Sequence, residues 1–342
     1  MTRFGSTVGE VLMWDGESFD AERVDFFRRS VFQRFIDLVD EPVCDEIKIF
    51  VKREPHKIAK IEEERYRLIS AVSMVDSMVD RILFGDLFRS VKRKPGVAGV
   101  MIGWSPIKNG SYFLTSQLKS GKYLSLDKSA WDWSVQEWLI VILRELLIDL
   151  HPDSPLWFRR MVRARFSLLF DNPIFRFSDG TLVRQQVPGI MKSGCYLTIL
   201  LNSLGQLIVH TLAAARIGRT PPPLFCLGDD TVQEDVDFRD ELVSAIEAMG
   251  FKLKVDVSNC VRFCGFEMSG LDYTPEYREK HRFLLEHLTL DPDIACSTLL
   301  SYQVLYYNDA RVLRVIRDLI RKRKIPEAYR SDEFLLKLVF DS

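Results

Sequence analysis

Apolar residues recur at helical spacing along several stretches of the chain. Between residues 18 and 40, Phe27, Val31, Phe35 and Val39 follow one another at intervals of four among charged residues, which predicts an amphipathic helix. The other stretches of this kind are residues 71–90, 134–150, 194–217 and 238–249, together with most of the chain after residue 268. The pattern therefore predicts a chain with many helices.

Short apolar runs bounded by turn residues predict strands between these helices. The run at 123–126 ends at Asp127, and the runs at 224–227 and 231–232 flank Gly228-Asp229-Asp230, which predicts a hairpin. The other predicted strands are Ile47–Val51, a hairpin over 175–183 with an Asp-Gly turn, and the segments 251–257 and 261–268. Glycine, proline and serine are frequent between 93 and 121, where we expect loops. Because strands and helices mix without regular βαβ alternation, we expect an α+β fold.

Composition narrows the class of protein. Of the 342 residues, 47% are apolar and 28% are charged, so the chain can bury a sizeable core. The net charge of −1 means that any nucleic-acid partner must be held by local basic patches. The six cysteines and five histidines show no zinc-ligand spacing, and we expect a reduced, intracellular compartment. The longest apolar run is stopped by Arg144, so we expect no transmembrane segment, and the N-terminus lacks the pattern of a signal peptide.

Three carboxylates stand where a metal site is expected. Asp127 follows one apolar strand, and Asp229 and Asp230 lie at the tip of the predicted hairpin. If these strands are neighbours in one sheet, the carboxylates meet at its edge, and oxygen ligands of this kind suit Mg²⁺. Two such ions about 3.5–4 Å apart can promote an in-line phosphoryl transfer. The alternative is that Gly-Asp-Asp forms an ordinary turn.

Polar residues also open the apolar helix predicted over 194–217. Thr198 and Asn202 are four residues apart and share a helix face, and Ser193-Gly194 supplies a flexible turn where backbone can approach a substrate. The alternative is a serine cap followed by a solvated stripe. The leucine and isoleucine neighbours favour burial, and a buried asparagine needs a partner, for which Asp132 is the candidate.

In order and spacing, these residues resemble motifs A, B and C of viral RNA-dependent RNA polymerases. The three matching segments are Asp127-x-x-x-x-Asp132, Ser193-Gly194-x-x-x-Thr198-x-x-x-Asn202 and Gly228-Asp229-Asp230. The first of them, which continues as Trp-Ser-Val-Gln after Asp132, looks like the sobemovirus and polerovirus branch of positive-strand RNA viruses. With the further motifs below, the resemblance runs from residue 48 to residue 268.

The resemblance implies a right-hand polymerase of fingers, palm and thumb, with an antiparallel palm sheet flanked by helices. The implied boundaries are fingers at 1–120 with a basic nucleotide-channel motif, palm at 121–149 and 189–268, a fingers insertion at 150–188 and thumb at 269–342. Both end lobes are short for the family, which fits either a compact enzyme or a fragment of a longer polyprotein.

The resemblance also implies how the carboxylates act. Asp127 and Asp229 would bind two Mg²⁺ ions, with Mn²⁺ as the alternative metal, and Asp230 would support them. The primer 3′-hydroxyl would attack the α-phosphate of an incoming ribonucleoside triphosphate. Met249-Gly250-Phe251-Lys252-Leu253-Lys254 resembles motif D, whose lysine can protonate the leaving pyrophosphate. Lys254 is the first candidate and Lys252 the second, and an exposed strand lysine without a catalytic role is the alternative.

Other implied roles concern the nucleotide. Asp132 and Asn202, with Thr198, would read the ribose 2′-hydroxyl, which distinguishes RNA precursors from DNA precursors. Ser193 and Gly194 would also contact the nucleotide.

A basic segment, Lys52-Arg-Glu-Pro-His-Lys57-x-x-Lys60 followed by Arg65-Tyr-Arg67, is similar to motif F. The similarity implies that Lys52, Lys60 and Arg67 neutralise the triphosphate. The alternative is a salt-bridged surface, because several glutamates interleave.

Two C-terminal features complete the sequence picture. Phe263-Cys264-Gly265-Phe266 resembles motif E, which supports the primer end, although relatives tend to carry Ser-His at its third and fourth positions. Cys264 is expected to be a packed residue.

A basic stripe on a predicted thumb helix suits an RNA duplex, and the alternatives are a solvated face or a membrane-surface helix. The stripe consists of Arg311, Arg314, Arg317 and Arg321.

The interpretation as a whole is a template-directed RNA polymerase of viral origin. Its implied partners are an RNA template, a primer or product strand, ribonucleoside triphosphates and other viral replication proteins, and its implied location is a replication complex in the host cytoplasm. Two alternatives stay open. A reverse transcriptase usually carries a bulky aromatic residue near the position of Asp132, and an inactive RNA-binding scaffold has no chemical need for three clustered acids.

Overall fold

The computed structural model describes residues 7–340 except residues 53 and 57, so Lys57 of the basic segment lies outside the described residues. The α-helices are α1 Val8–Val11, α2 Ala21–Asp40, α3 Ile58–Glu62, α4 Met74–Arg93, α5 Gly110–Gln117, α6 Trp131–Ser134, α7 Glu137–Asp149, α8 Leu156–Phe170, α9 Thr198–Arg216, α10 Arg239–Glu247, α11 Arg278–Glu286, α12 Pro292–Leu305, α13 Ala310–Arg323 and α14 Asp332–Phe340. The strands are β1 Ile47–Val51, β2 Leu68–Ala71, β3 Tyr123–Lys128, β4 Ile174–Arg176, β5 Leu182–Arg184, β6 Leu224–Leu227, β7 Asp230–Glu234, β8 Leu253–Ser258, β9 Val261–Phe263, β10 Phe266–Ser269 and β11 Asp272–Pro275.

The chain divides into two compact units, each built from two separate segments. The first unit contains the residues up to Ser90 and Ala130–Gly205, and the second contains Val91–Ser129 and Gln206–Ser342. The assignment of residue ranges to fingers, palm and thumb stays a prediction.

The second unit contains a four-stranded sheet with the order β6-β7-β3-β8, in which all neighbouring strands are antiparallel. Strand β3 is central, and its side chains alternate as a half-buried strand requires: Leu124 and Leu126 are buried, while Asp127 is exposed. The carboxylate-bearing strand and the Gly-Asp-Asp hairpin therefore belong to one sheet, which is the condition under which the sequence predicts that the carboxylates meet.

The pairing between β3 and β7 ends before the carboxylates are reached. Backbone pairing covers two residue pairs, and beyond them the Thr231 hydroxyl accepts from the amide of Leu126 (3.3 Å) and donates to its carbonyl (3.2 Å). A side-chain bridge in place of direct backbone pairing separates the two strands toward Asp127 and Asp230. This separation leaves space between their side chains.

Two further layers complete the second unit. The antiparallel sheet β11-β10-β9 shares a hydrophobic core with α5, α14 and the four-stranded sheet. Members of this core include Leu114, Val232, Phe263, Tyr273 and Leu335. A second core joins α11, α12 and α13, so the predicted helical C-terminal region is confirmed.

The first unit combines the sheet β2-β1-β4-β5 with several helices around a buried ionic cluster. Arg165 of α8 is buried and donates two hydrogen bonds to the buried carboxylate of Asp80 in α4, at 2.6 and 3.1 Å. Nearby, Arg34 of α2 donates to Asp76 at 2.7 Å. Such buried charges are tolerated when their hydrogen bonds are complete.

The α+β class is confirmed, and most predicted elements are present with displaced ends. The helix predicted from residue 194 begins only at Thr198, because Ser193 and Gly194 are bonded to β2 instead. The region 93–121 is not all loop, since α5 forms there with Leu114 fully buried. Helix α8 was not predicted, although it provides Arg165 and several buried aromatic residues.

Helix α9 bears on the expectation that the chain has no transmembrane segment. Within the described residues, α9 alone is long and apolar enough to cross a bilayer, by length and composition. More than half of the apolar stretch of α9 is buried inside the protein, as in the core helix of a folded domain. The helix is therefore weak evidence for a membrane span.

Candidate active site

The carboxylate of Asp127 forms an ion pair across the central sheet. Asp127 lies directly opposite Lys254 in the β3–β8 register, and Lys254 Nζ is 3.0 Å from Asp127 Oδ2. Both side chains are mostly exposed, at 62% and 72%. The first candidate for the general acid is thus bound to a candidate metal ligand in this structure.

The Gly-Asp-Asp turn presents two carboxylates beside Asp127. Gly228 has a φ of 67°, a conformation that glycine adopts without steric cost, and it closes the hairpin between β6 and β7. Asp230 is accessible from the cavity but closely surrounded, and its partial loss of solvation raises its pKa. The charges of Asp229 and Asp127 raise this pKa further.

All three carboxylates line one cavity of about 280 Å³ in the second unit. Lys254 also lines it, and the opposite wall comes from the turn between β9 and β10 and from Tyr277. Gly265 in that turn has a φ of 77°, and a Cβ there would lie 2.6 Å from the Tyr277 ring. A larger residue at position 265 would therefore have to displace this ring.

Cys264 lies in the same turn, beside Asp230. Loss of solvation, together with the negative charge of Asp230, raises the pKa of the Cys264 thiol far above its ordinary value. The thiol therefore stays protonated near neutral pH, which agrees with a packed residue and not with a reactive thiolate.

A buried lysine under the sheet was missed by the sequence analysis. Lys128 is the neighbour of Asp127 on β3, but its side chain lies on the opposite, buried face and donates to Gln206 of α9. Burial lowers the pKa of Lys128 to about 8, while Asp127 and Asp229 oppose this shift. The position of Lys128 at the end of an apolar strand is the sequence signal that could have indicated its burial.

The donor set fits a divalent cation. Asp127, Asp229 and Asp230 supply only oxygen ligands. Loss of solvation raises the pKa of Asp230, and the charges of Asp229 and Asp127 raise it further, a repulsion that a cation would offset. Across residues 7–340, leaving out 53 and 57, no three His, Cys, Asp or Glu side chains are already arranged to hold a metal ion. Asp127 is bonded to Lys254 instead, so cation binding would compete with this ion pair.

Replacing Lys254 with methionine is expected to raise the affinity for Mn²⁺ in the absence of nucleotide. An exposed ion pair contributes about 0–1 kcal/mol, so the gain should be at most about fivefold. Calorimetric titration of the full chain with Mn²⁺ measures it. Lys252→Met, which removes an exposed lysine two residues away, is the matched control, and an equal gain there would contradict specific competition at Asp127.

In the first unit, Asp132 and Asn202 form the predicted pair. Asn202 Nδ2 donates to Asp132 Oδ1 at 3.3 Å, and the Asn202 side chain is buried. Asn202 Oδ1 is buried and has no hydrogen-bond partner within the described part of the chain. Asp132 is half-buried, so its carboxylate is the member of the pair that a ligand can reach.

The residues before α9 are fixed by the neighbouring strand. The Ser193 hydroxyl accepts from the Ser70 amide at 3.0 Å, and the Gly194 amide donates to the Ser70 carbonyl at 3.1 Å. A Cβ on Gly194 would lie 2.7 Å from that carbonyl, so the close approach requires glycine. The Thr198 hydroxyl donates to the carbonyls of two residues that precede α9, Lys192 and, at 2.9 Å, Cys195.

Two of the three predicted channel cations share one carboxylate. Lys52 and Arg67 both pair with Glu54, at 3.1 and 3.2 Å, while Lys60 is exposed on α3. The salt-bridged alternative therefore describes Lys52 and Arg67.

The arginine stripe is helical, as predicted, but its members differ. Arg311 and Arg314 are exposed on α13. Arg317 is mostly covered, bonds to Asp332 and the Arg330 carbonyl, and stacks over Tyr329. Arg321 pairs with Asp318 one turn earlier on the same helix. The exposed arginines are thus available to a polyanion, whereas Arg317 holds the C-terminal segment.

Comparison with known proteins identifies the family. The sequence model described as viral RNA-dependent RNA polymerase matches residues 41–279, well over half of the chain. The chain therefore belongs to the viral RNA-dependent RNA polymerases. The Sicinivirus 3Dpol RNA-dependent RNA polymerase has a similar fold, with a TM-score of 0.66 and 17% identity over 91% of this chain and 69% of that one.

Sequence relatives agree with the branch suggested by the motifs. The chain is 38% identical to the replicase polyprotein P2AB of Southern bean mosaic virus over 59% of its length, and 33% identical to protein P1-P2 of Turnip yellows virus over 67%. It spans only 21% and 22% of these two relatives. The RNA-directed RNA polymerase of Mushroom bacilliform virus is 28% identical over 75% of this chain and 64% of that protein. The resemblance to the sobemovirus and polerovirus branch is confirmed.

Proposed function

We propose that this chain catalyses template-directed synthesis of RNA for replication of a viral genome, by transfer of ribonucleotides to an RNA 3′ end. The observation that carries the proposal is the single cavity lined by Asp127, Asp229 and Asp230 at the open end of an antiparallel sheet. Membership of the polymerase family supports it. A phosphoryl-transfer site needs this concentration of carboxylates, and an RNA-binding scaffold does not.

In the proposed reaction the primer 3′-oxygen attacks the α-phosphorus, and the bond from this phosphorus to pyrophosphate breaks. Asp127 and Asp229 would hold two divalent cations with Asp230 in support, and bound Mg²⁺ or Mn²⁺ would supply the positive charge that activates the hydroxyl and stabilises the leaving oxygen. Lys254, once released from Asp127, would carry the proton that pyrophosphate takes up. Its place opposite Asp127 in the register favours Lys254 over Lys252.

Ribose recognition is assigned to the Asp132–Asn202 pair. The Asp132 carboxylate, held by Asn202 Nδ2 at 3.3 Å, would accept a hydrogen bond from a ribose 2′-hydroxyl, a donor that a deoxyribonucleotide lacks. Ser193 and Gly194 would contact the nucleotide through a backbone held rigidly on β2. Thr198 would act indirectly, since its hydroxyl holds the Lys192 and Cys195 carbonyls that lead into α9.

The basic residues would bind the polyanionic partners. Lys52, Lys60 and Arg67 would neutralise the triphosphate, with the first and last exchanging Glu54 for phosphate oxygens. Exposed arginines of α13 would contact the product duplex. Replication proteins from the same virus are proposed as further partners, within a complex in the host cytoplasm.

Replacing both Arg311 and Arg314 with alanine is expected to weaken RNA-duplex binding and to reduce the salt dependence of the binding constant. Each lost phosphate contact should lower the slope of log K against log salt by about one. Fluorescence anisotropy at several salt concentrations measures the slope. Arg163→Ala, an exposed arginine on α8, is the control, and an unchanged slope in the double variant would contradict the assignment of α13.

Primer extension with Mg²⁺ on a short RNA template tests the proposed function. The full chain is supplied in parallel with ribonucleotides and with the matching deoxyribonucleotides. Extension that uses ribonucleotides supports the proposal. Extension with deoxyribonucleotides would favour a reverse transcriptase, and RNA binding without any extension would favour an inactive scaffold.

A further inference from the structure

Lys192 is a buried cation that the proposed reaction does not use. It directly precedes Ser193 and is fully buried. Its ammonium donates to Gln185 Oε1 at 2.9 Å, to the Gly189 carbonyl at 3.2 Å and to the Ile190 carbonyl. These three acceptors use all three donors of the ammonium. The segment from 185 to 190 is therefore folded around one side chain.

A lysine is a costly choice at this place. Burial lowers the pKa of Lys192 to about 7, with Cys195 and Asp132 opposing the shift, and the rings of Phe170 and Phe175 lie 5.3 and 5.5 Å from its nitrogen. An apolar side chain of similar length would fill the space without desolvating a charge. The hydrogen bonds to the chain, and not packing, therefore account for the lysine.

The segment closed by Lys192 bonds directly to the residue assigned to ribose recognition. The Ile190 amide donates to the Val135 carbonyl at 2.8 Å, and the Met191 amide donates to the Asp132 carbonyl at 2.7 Å. Asp132 therefore has its backbone fixed by the residue next to Lys192.

On its other side, Lys192 continues into the strand-bound turn. Ser193 and Gly194 hydrogen-bond to Ser70 of β2. The Cys195 amide donates to the Lys192 carbonyl at 2.9 Å, which starts the approach to α9. Lys192 thus stands at the junction between the residues that hold Asp132 and those that hold Ser193.

We propose that Lys192 is a positioning residue for ribose selection: its ammonium fixes segment 185–194, and this segment sets the position of Asp132 against the nucleotide sugar. The proposal rests on the proposed function. It assigns Lys192 no contact with the substrate. Its loss should loosen recognition of the 2′-hydroxyl more than it slows the chemical step.

The test compares the full-length wild type with Lys192→Met and with Val162→Ala. Val162 is fully buried in α8, so its truncation destabilises the same unit by making a cavity without removing a polar contact. For each protein, KM and kcat are measured with a ribonucleotide and its deoxyribonucleotide. Amide hydrogen exchange of Met191 and Gly194 is measured without substrate.

Lys192→Met is expected to raise the KM for the ribonucleotide and to lower the ribo-to-deoxyribonucleotide preference about tenfold or more, because a displaced Asp132 carboxylate would lose its charged hydrogen bond with the 2′-hydroxyl. Its Met191 and Gly194 amides should exchange faster than those of Val162→Ala. A preference equal to that of Val162→Ala would overturn the proposal, whatever the exchange rates.

Failure of the proposed function gives a different result. If the wild type extends no primer, the proposed function fails. Amide hydrogen exchange then decides the structural half of the inference, which is that Lys192 fixes segment 185–194. Unchanged Met191 and Gly194 exchange in Lys192→Met would overturn that half, and faster exchange would support it.

Discussion

Replacing Asp229 with asparagine is expected to lower ribonucleotide incorporation about 10³-fold or more. The substitution removes one oxygen ligand and one negative charge from the site that would bind the divalent cations. The substitution keeps the size of the side chain, and the hairpin between β6 and β7 depends on Gly228 and backbone pairing. Single-nucleotide primer extension with Mg²⁺ measures the effect. RNA binding should change little.

Asp237→Asn provides the matched control for this experiment. Asp237 is exposed between β7 and α10, so the substitution removes an equal charge without reaching the cavity. Incorporation within a few-fold of wild type is expected for this control. Residual incorporation above about one-tenth of wild type in Asp229→Asn would contradict the role assigned to Asp229.

Arg165→Met is expected to lower the free energy of unfolding of the first unit by about 3–5 kcal/mol, because it leaves the buried carboxylate of Asp80 without its cation. Arg165 supplies two hydrogen bonds to that carboxylate and is itself buried. Urea titration followed by circular dichroism should show an earlier transition. The destabilised transition should belong to the first unit.

An arginine two residues earlier on the same helix serves as the comparison. Arg163 pairs with Glu145 at the surface, with 47% of its side chain exposed. Arg163→Met should therefore cost about 0–1 kcal/mol. Replacing Arg165 and Asp80 together, by methionine and leucine, should recover much of the loss. Equal shifts for Arg163→Met and Arg165→Met would contradict the importance of burial.

The strands near the carboxylates could be predicted because local rules determine them, whereas the Asp132–Asn202 pair joins residues 70 positions apart and was predicted from a general rule on buried polar groups. Alternating apolar residues place Asp127 at the end of β3, and a glycine before two aspartates favours a tight hairpin. The partner of Asn202 followed from the rule that a buried amide must be satisfied.

Features that depend on distant contacts could not be predicted in the same way. Lys128 and Lys192 are buried, whereas single-sequence patterns treat a lysine as exposed, and Lys128 donates to Gln206 of another element. In the sequence, Glu54 is one of several glutamates that interleave with the basic segment, yet in the structure it pairs with both Lys52 and Arg67. Helix α5 was hidden by its glycine and serine, because burial of Leu114 outweighs their weak helix propensity.

The division of each unit into two segments has a consequence for folding during synthesis. The first unit is complete once residue 205 has been made, but β3 of the second unit must wait for β7 and β8. Leu126 and Thr231, which bridge β3 and β7, are 105 residues apart. At translation rates of about 5–20 residues per second, both edges of β3 stay unpaired for about 5–20 s.

During this interval β3 is the segment most exposed to wrong pairing, since a free strand edge is a template for other strands. The unit containing Asp132 and Asn202 can fold first, and the carboxylate cavity forms only after β8 emerges. The order of synthesis thus makes the sheet that carries Asp127 form after the unit that contains Asp132 and Asn202.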